Sequence, residues 1–326
     1  DRILLGGNQN YQSPERGTVS RRSDGSSNPG NGRWNVNRVI TNWWRRTTRV
    51  RPQRLPEPFR FAPDIDALHA FIEGQFADDP PADSGSKSLK GRCFVCDGAT
   101  EFLIDRPADG SEVNWRETLR CSGCGMINRW RGCLHLHDAI CRPRLQDRIY
   151  LTERLSPVYE ALAARYPHLT ASEYLPGGVR GAESEWHGQR VRHEDVTQLS
   201  FADGSLDAVL CFDVLEHVPD YRAGLREFAR VLDRGGQLLL SVPFNFQQKT
   251  LVRAEVDAHG EIRHLVEPCY HGDPLSPEGV LSFYDFGMDL LDELQDAGFK
   301  EAFVVCYRSA RWGYLQNNVA LVARQL

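Results

Sequence analysis

The sequence predicts an α/β fold with a doubly wound, mostly parallel sheet, preceded by a small zinc-binding module and a weakly ordered arm. Strand and helix patterns alternate from residue 148 onward, which is typical of a parallel sheet covered by helices. Two Cys-x-x-Cys pairs lie at 93–96 and 121–124. Residues 23–32 are too polar and too rich in glycine to bury a core.

The composition is that of an ordinary globular protein. The chain has 326 residues, 41% of them hydrophobic and 25% charged, enough for about two domains. It has no apolar run of roughly 20 residues and no signal-peptide pattern, so we expect a cytoplasmic protein without a membrane partner. The net charge of −5 gives no general nucleic-acid footprint, which leaves nucleic acid possible but not favoured.

Residues 1–62 are expected to form the arm. Trp34, Trp43 and Trp44 lie near several arginines there. Such an arm binds an acidic protein partner or RNA, or it is a solvated tail whose tryptophans dock on the body, which we favour. Residues 63–90 are expected to hold a short helix at 64–76 and then a linker.

The cysteine pairs predict a module at residues 91–145. The total of nine cysteines is odd, and four form Cys-x-x-Cys pairs, which favours metal binding over a disulfide scaffold. Gly98 and Gly125 suit tight turns where the backbone approaches sulfur. Four later residues remain alternative or additional ligands, although ordinary positions on the following helix explain them better: Cys133, His135, His137 and Cys141. The predicted ligands of a closed, structural Zn²⁺ site are Cys93, Cys96, Cys121 and Cys124.

The alternating region supplies the elements of the sheet in order. Ser156 and Pro157 suit the N-cap and first position of a helix. A helix from Tyr221 to Leu232 is expected to end at Gly235-Gly236, and a helix ending at Gly298 precedes the last two strands. The expected strands are 148–151, 170–173, one within 190–195, 206–212, 237–242, 302–307 and 318–323.

Several runs in this region form a recognisable set of motifs. They are His193-Glu194-Asp195-Val196-Thr197-Gln198-Leu199-Ser200-Phe201, Ser205-Leu206-Asp207-Ala208-Val209, Asp213-Val214-Leu215-Glu216-His217-Val218-Pro219 and Val231-Leu232-Asp233-Arg234-Gly235-Gly236. Residues 146–326 thereby resemble the class I S-adenosylmethionine-dependent methyltransferases, most closely the type 11 group. The resemblance implies a Rossmann-like sheet with an antiparallel C-terminal strand, and S-adenosylmethionine as cofactor.

The resemblance also implies roles for acids at strand ends, where ligands of doubly wound sheets bind. Glu173 is expected to accept the ribose hydroxyls, Asp195 to contact the adenine amino group, and Asp213 to face the methyl donor. A helix cap or a loop turn is the alternative for each acid alone. Three acids at strand ends together favour the cofactor.

The first loop departs from the family pattern, which is glycine-rich because the backbone passes close to the cofactor. Thr152, Arg154 and Ser156 stand at the glycine positions. Either the loop is displaced, with Glu153 near the sulfonium, or the domain no longer binds the cofactor. We expect binding to be retained.

The sequence says less about the residues that bind the methyl acceptor. His217 and His271 are the candidate general bases; the alternative is that both only order loops by hydrogen bonds. The insertion at 245–286 is long enough to form a lid. No Asn-Pro-Pro-Tyr or Asp-Pro-Pro-Tyr motif follows the fourth strand, which disfavours methylation of a nucleic-acid base. We therefore expect methyl transfer to an O or N atom of a small molecule or saccharide. The alternatives are a catalytically silent scaffold, or an RNA methyltransferase that grips RNA with the zinc module and the arm.

Overall fold

The computed structural model describes residues 55–74, 86–107, 112–186, 188–273 and 276–326. Most of the predicted arm, with its tryptophans, and most of the predicted linker lie outside these ranges. The α-helices described are α1 Ile65–Glu73, α2 Asn128–Leu136, α3 Pro157–Ala163, α4 Tyr221–Val231 and α5 Leu290–Asp296. The strands before α4 are β1 Phe59–Ala62, β2 Ser88–Cys93, β3 Gly98–Leu103, β4 Arg120–Cys121, β5 Ile149–Leu151, β6 Leu169–Glu173, β7 Glu183–Trp186, β8 Gln189–His193 and β9 Leu206–Phe212. Those after it are β10 Leu232–Ser241, β11 Leu251–Val252, β12 Ala254–Val256, β13 Ile262–His264, β14 Tyr270–Asp273, β15 Ser276–Leu281, β16 Tyr284–Asp285, β17 Glu301–Ser309 and β18 Tyr314–Arg324.

A nine-stranded sheet forms the centre of the fold, in the order β1-β17-β18-β10-β9-β5-β6-β8-β7. The strands from β10 to β8 in this order are mutually parallel, and β18 lies antiparallel between β10 and β17. The chain runs from β5 out to β8 and then returns to β9, so the strand order reverses between β5 and β9. Open α/β sheets bind ligands at such a point. The predicted doubly wound fold with an antiparallel C-terminal strand is confirmed.

Hydrophobic cores cover both faces of the sheet. Successive strand residues point to opposite faces, so Tyr150 belongs to one core while Ile149 and Leu151 belong to the other. The first core takes in residues of α1, α4 and α5, and the second takes in residues of α3 and of the cysteine module. The module therefore packs directly on the sheet.

The cysteine module consists of a three-stranded sheet, β2-β3-β4, followed by α2 and a π-helical turn at His137–Cys141. Arg131 on α2 is fully buried and joins the module to the β17–β18 hairpin. Its guanidinium donates to the backbone carbonyls of Trp312 at 2.7 Å, Leu119 at 2.9 Å and Gly313 at 3.0 Å. These bonds satisfy a buried charge that would otherwise be costly.

Two predicted boundaries need correction at the N-terminal side. Residues 59–62 were assigned to the weakly ordered arm, but they form β1, which pairs antiparallel with β17. Buried Phe59 and Ala62 explain why this segment joins the sheet. Residues 88–90 were assigned to the linker, but β2 begins at Ser88 and pairs with β3.

The end of α4 also differs from the prediction. The helix ends at Val231, before Gly235-Gly236, because Leu232 already has an extended backbone and pairs with Leu206 of β9. Residues 233–236 then form an irregularity in the pairing, with Gly235 at a φ of 82°. The glycines shape a bulge in β10 and do not cap the helix. Within the described residues, no helix has both the length and the apolar character required to cross a membrane.

Candidate functional site: a cavity between the sheet and the cysteine module

A large cavity lies at the carboxyl ends of β5, β6, β8 and β9, where the strand order reverses. Its volume is about 2040 Å³, against roughly 300–1,000 Å³ for an ordinary small-molecule site. The cavity therefore has room for two ligands side by side. The six residues predicted to serve the cofactor and the acceptor all line it: Glu153, Glu173, Asp195, Asp213, His217 and His271.

The loop that replaces the glycine-rich turn leaves the cavity open. The Arg154 guanidinium lies over the Tyr159 ring, 3.8 Å from its centroid, and is not part of the cavity lining. Ser156 caps α3 by accepting a hydrogen bond from the Tyr159 amide at 3.4 Å, as predicted. Thr152 is buried in the cavity wall. Of the side chains at the glycine positions, Thr152 and Ser156 thus belong to the cavity wall and Arg154 lies outside it, so none of them fills the space.

Glu173, at the end of β6, holds this loop in place. Its Oε1 accepts hydrogen bonds from the backbone amides of Arg154 and Leu155, each at 2.7 Å. Glu173, which is predicted to bind the ribose, therefore also binds the loop. It accepts hydrogen bonds from the backbone amides that a glycine-rich turn would present to a cofactor. Contact with a ribose remains a prediction.

Glu153 lies in the same loop and faces the switch point. Burial raises the pKa of Glu153 to about 8, although the charge of Arg129 acts in the opposite direction. Its Oε1 has no hydrogen-bond donor among the residues that the structure describes. Near neutral pH this carboxyl holds a proton, and a bound cation would favour its release.

Asp213, at the end of β9, is the centre of an ion cluster with two arginines of the cysteine module. Arg116 donates to both of its oxygens, with Nη2 at 2.5 Å from Oδ1, and the Arg129 Nε lies 3.0 Å from Oδ2. Ser241 donates to Oδ1 at 2.9 Å. Burial alone would raise the pKa of Asp213, but Arg116 and Arg129 outweigh it and hold the pKa well below its usual range.

The two arginines were missed by sequence reasoning. Arg116 precedes β4, Arg129 is on α2, and Glu117 joins them by accepting from Arg116 at 2.7 Å and from the Arg129 Nε at 2.8 Å. Nothing in the sequence singles them out among many arginines. They place positive charge from the module at the end of the cavity beside Asp213. Whether Asp213 also meets a methyl donor remains a prediction.

Asp195, beyond β8, shows the geometry of a loop turn. Its Oδ1 accepts from the Thr197 amide at 2.8 Å and from the Thr197 hydroxyl at 2.7 Å. This is the local turn weighed as an alternative from the sequence. The residue still lines the cavity, so the turn fixes its carboxylate beside the predicted adenosine position.

The predicted bases meet on the acceptor side. His217 lies in a 3₁₀ turn after β9, and His271 lies in β14 of the insertion, with 5.0 Å between their ring centroids. Glu216, which was not predicted as a site residue, lies between them and is fully buried. Its carboxylate raises the pKa of His271 above the usual value, although burial acts in the opposite direction. The insertion at 245–286 thus supplies one wall of the cavity.

The four predicted zinc ligands form one cluster. Their sulfurs all lie within 4.8 Å of one another, with 3.8 Å between Cys93 and Cys124 and 3.6 Å between Cys96 and Cys121. The close backbone approach occurs at Gly123, where an added Cβ would lie 3.0 Å from the Cys96 sulfur. Gly98, one of the two glycines predicted to approach sulfur, has no sulfur among its near neighbours, and Gly125 instead adopts a φ of 74°.

The other histidines and cysteines of the module belong to the packing. His135 stacks on Phe94 with 4.0 Å between ring centroids, and its Nδ1 lies 3.2 Å from the Tyr314 hydroxyl. Within the described residues, the sulfur cluster includes neither His135, His137 nor the two later cysteines of the module.

The sequence of the central segment matches a known family. Residues 156–240 match the family model described as "Methyltransferase domain". This segment is similar to a methyltransferase domain. It spans α3 to β10 and so contains Glu173, Asp195, Asp213 and His217, but neither Glu153 nor His271. The resemblance to class I methyltransferases is thereby confirmed.

Parts of the chain are also similar to curated methyltransferases and to a solved structure. A "Ubiquinone biosynthesis O-methyltransferase" of Xanthomonas oryzae pv. oryzae is 58% identical over 68 residues, which cover 21% of this chain and 28% of the relative. A "Demethylmenaquinone methyltransferase" of Clavibacter sepedonicus is 35% identical over 102 residues, or 30% of this chain and 41% of the relative. The chain thus matches less than half the length of these proteins. A structure of an S-adenosylmethionine dependent methyltransferase from Mesorhizobium loti covers 62% of this chain and all of its own, at 15% identity and a TM-score of 0.40.

Proposed function

We propose that the chain transfers a methyl group from S-adenosylmethionine to an O or N atom of a small-molecule or saccharide acceptor. The observation that carries this proposal is the cavity at the switch point of a methyltransferase domain, with acids along one part of its wall and a histidine pair along another. The relatives include a ubiquinone biosynthesis O-methyltransferase and a demethylmenaquinone methyltransferase, which favours a small acceptor.

The acids suit the charges of the donor. S-adenosylmethionine carries a sulfonium and an ammonium group, and Glu153 can release its proton to solvent when such a cation binds beside it. Asp195 and Glu173 lie at the neighbouring strand ends, where an adenosine would fit. The cationic partner for the donor's carboxylate is then Arg129, since its Nη1 is buried and has no acceptor among the described residues.

Methyl transfer is a displacement in line with the carbon–sulfur bond, so catalysis depends on alignment and on removal of the acceptor proton. The acceptor is expected beside His217 and His271, which lie on the side of the cavity formed by the insertion. The acceptor proton is expected to leave at this histidine pair.

The sulfur cluster fits a structural Zn²⁺ ion. Zn–S bonds of about 2.3 Å in a tetrahedron give sulfur–sulfur edges of about 3.8 Å, close to the measured separations. The backbone amides of Cys96 and Gly123 each donate to a sulfur at 3.4 Å, as expected where thiolates carry charge. With four thiolates the site is closed. We assign it to folding of the module and, through Arg116 and Arg129, to the shape of the donor site.

Calorimetric titration of the zinc-loaded full chain with S-adenosylmethionine tests the proposal. We expect saturable binding, and at least about tenfold weaker binding by Glu173→Gln, because that change removes charged hydrogen bonds worth about 1.5–3 kcal/mol each. Glu185→Gln is the matched control, since Glu185 is exposed on β7 and lies outside the cavity. Absence of heat at high cofactor concentration would refute the proposal.

One observation favours a second function, a catalytically silent binding module. Both oxygens of Asp213 are already held by arginines, and the glycine-rich turn is missing. The same titration decides between the two. The third possibility, binding of RNA through the arm, depends on residues outside the described ranges. Salt-dependent RNA binding that disappears when residues 1–54 are deleted would support it.

A further inference from the structure

The acceptor side of the cavity contains a buried carboxylate that the structure leaves without a donor. Glu216 has no exposed surface, and neither oxygen of its carboxylate accepts a hydrogen bond from any described residue. A buried carboxylate without a hydrogen-bond donor is destabilising, so such a group calls for a water or an ion as partner.

Two imidazole nitrogens face this carboxylate. The His217 Nε2 and the His271 Nδ1 each lie 3.6 Å from the Glu216 Oε1, and the three potential ligand atoms lie within 4.8 Å of one another. Ligands bonded at about 2.1 Å to one ion are roughly 3.0–3.5 Å apart. Each histidine nitrogen needs to approach the carboxylate by only tenths of an ångström to share a cation. The two histidine nitrogens, at most 4.8 Å apart, need to approach each other by no more than about 1.8 Å.

The second nitrogen of His217 supports this arrangement. Its Nδ1 lies 2.8 Å from the backbone carbonyl of Leu281 and donates a hydrogen to it. A neutral imidazole that donates from Nδ1 has its lone pair on Nε2, which is the atom that faces Glu216. Histidines that bind metals are commonly oriented by such a second bond.

We propose that Glu216, His217 and His271 bind a divalent transition-metal cation. Two histidines and one carboxylate leave coordination positions open for oxygen ligands. His217 and His271 line the cavity, so an acceptor hydroxyl can occupy one of these positions. The site is distinct from the four cysteines because it offers nitrogen and oxygen, and because two of its members come from the methyltransferase domain and one from the insertion.

The consequence for catalysis rests on the proposed methyl transfer. A hydroxyl bound to the cation loses its proton to solvent more readily. Its oxygen attacks the methyl carbon, the carbon–sulfur bond breaks, and the electron pair remains on sulfur in S-adenosylhomocysteine. The acceptor class is then a hydroxyl compound, with the cation in place of a histidine as the group that favours deprotonation.

Binding of Mn²⁺ alone tests the site without activity, because Mn²⁺ prefers nitrogen and oxygen over thiolate ligands. The zinc-loaded full chain is mixed with Mn²⁺, and free Mn²⁺ is measured from its electron paramagnetic resonance signal. We expect one bound Mn²⁺ per chain, and at least about tenfold weaker binding in Glu216→Gln and in His271→Ala.

His264→Ala is the matched control, because His264 is an exposed histidine of the same insertion, and its Mn²⁺ binding should equal that of the unaltered chain. His271 is about one-third exposed, so His271→Ala keeps the test valid if Glu216→Gln fails to fold. The assignment would be overturned if the native chain left the concentration of free Mn²⁺ unchanged. It would also be overturned if His271→Ala bound Mn²⁺ as tightly as the native chain. S-adenosylmethionine binding is measured separately, so a metal site can fail while the methyltransferase proposal stands.

Discussion

Replacing Glu153 by Gln should remove a pH-dependent loss of stability. Burial raises the pKa of Glu153 from 4.5 to about 8 in the folded chain. Between these values the folded state keeps a proton that the unfolded state releases, so the free energy of unfolding falls as pH rises. The contribution of the protonated carboxyl is fully present below pH 4.5 and is lost as pH rises through about 8.

The size of the effect follows from the width of this window. A shift from 4.5 to about 8 spans 3.5 pKa units, and about 1.36 kcal/mol per unit gives an upper limit of about 5 kcal/mol. Glu153 keeps some exposure toward the cavity, where water reduces the penalty for its charge. We therefore expect Glu153→Gln to gain about 2 kcal/mol over the unaltered chain across the window.

Urea unfolding at several pH values from about 5 to about 8 measures this gain. The difference in unfolding free energy between Glu153→Gln and the unaltered chain should grow with pH. Glu261→Gln is the control, because it removes an exposed carboxylate in a turn of the insertion, and its difference should stay constant. A constant difference for Glu153→Gln as well would show that the carboxyl is not desolvated and refute the reasoning.

Further predictions concern cofactor binding and stability. If a cationic donor meets Glu153, its affinity should rise with pH by up to tenfold per unit below about pH 8 in calorimetric titrations, and no such trend should appear in Glu153→Gln. Asp213→Asn should lower the unfolding free energy by about 1.5–3 kcal/mol because it removes one of the two carboxylates that bind Arg116 and Arg129 and leaves them Glu117, whereas Asp203→Asn, at a pair with 81% exposure of the acid, should cost less than about 1 kcal/mol. Gly132→Ala should cost about 1–3 kcal/mol in the same assay because its Cβ would lie 2.4 Å from the Tyr307 ring, while Gly272→Ala, with no atom within 4 Å, should have little effect. Removal of zinc with a chelator should release one zinc ion per chain, lower the melting temperature and weaken binding of the methyl donor. Unchanged donor binding after complete removal would show that the module is not needed for the donor site.

The regular elements of the sheet were predictable where one signal dominates. β9 was predicted at Leu206–Phe212 and has these bounds, because a continuous apolar run between turn residues specifies a buried parallel strand. The end of α4 was mispredicted because glycines that usually end helices here serve a bulge. The strands of the insertion were not predicted, since all but one of those described have two to four residues and carry no readable period.

The site was predictable only where residues lie close in sequence to strand ends. Glu173 ends its strand, Asp195, Asp213 and His217 follow theirs by a few residues, and the family pattern indicates which of them to consider. The partnership of Arg116 with Asp213 joins residues 97 positions apart, and the pairing of Glu216 with His271 requires the fold of the insertion. Local sequence patterns contain no information on such contacts.

The absence of the glycine-rich turn and the presence of the cysteine module are related, because both affect how the cavity would bind the methyl donor. A glycine-rich turn offers backbone amides to the cofactor, but in this chain the amides of residues 154 and 155 donate hydrogen bonds to Glu173 instead. The positive charge that those amides would have supplied must then come from elsewhere if an anionic carboxylate is to bind. Arg116 and Arg129 lie at this position, and both belong to the module that the four cysteines hold together. On this reasoning the module is part of the donor site, so a variant that folds without it should retain the sheet but not bind the cofactor.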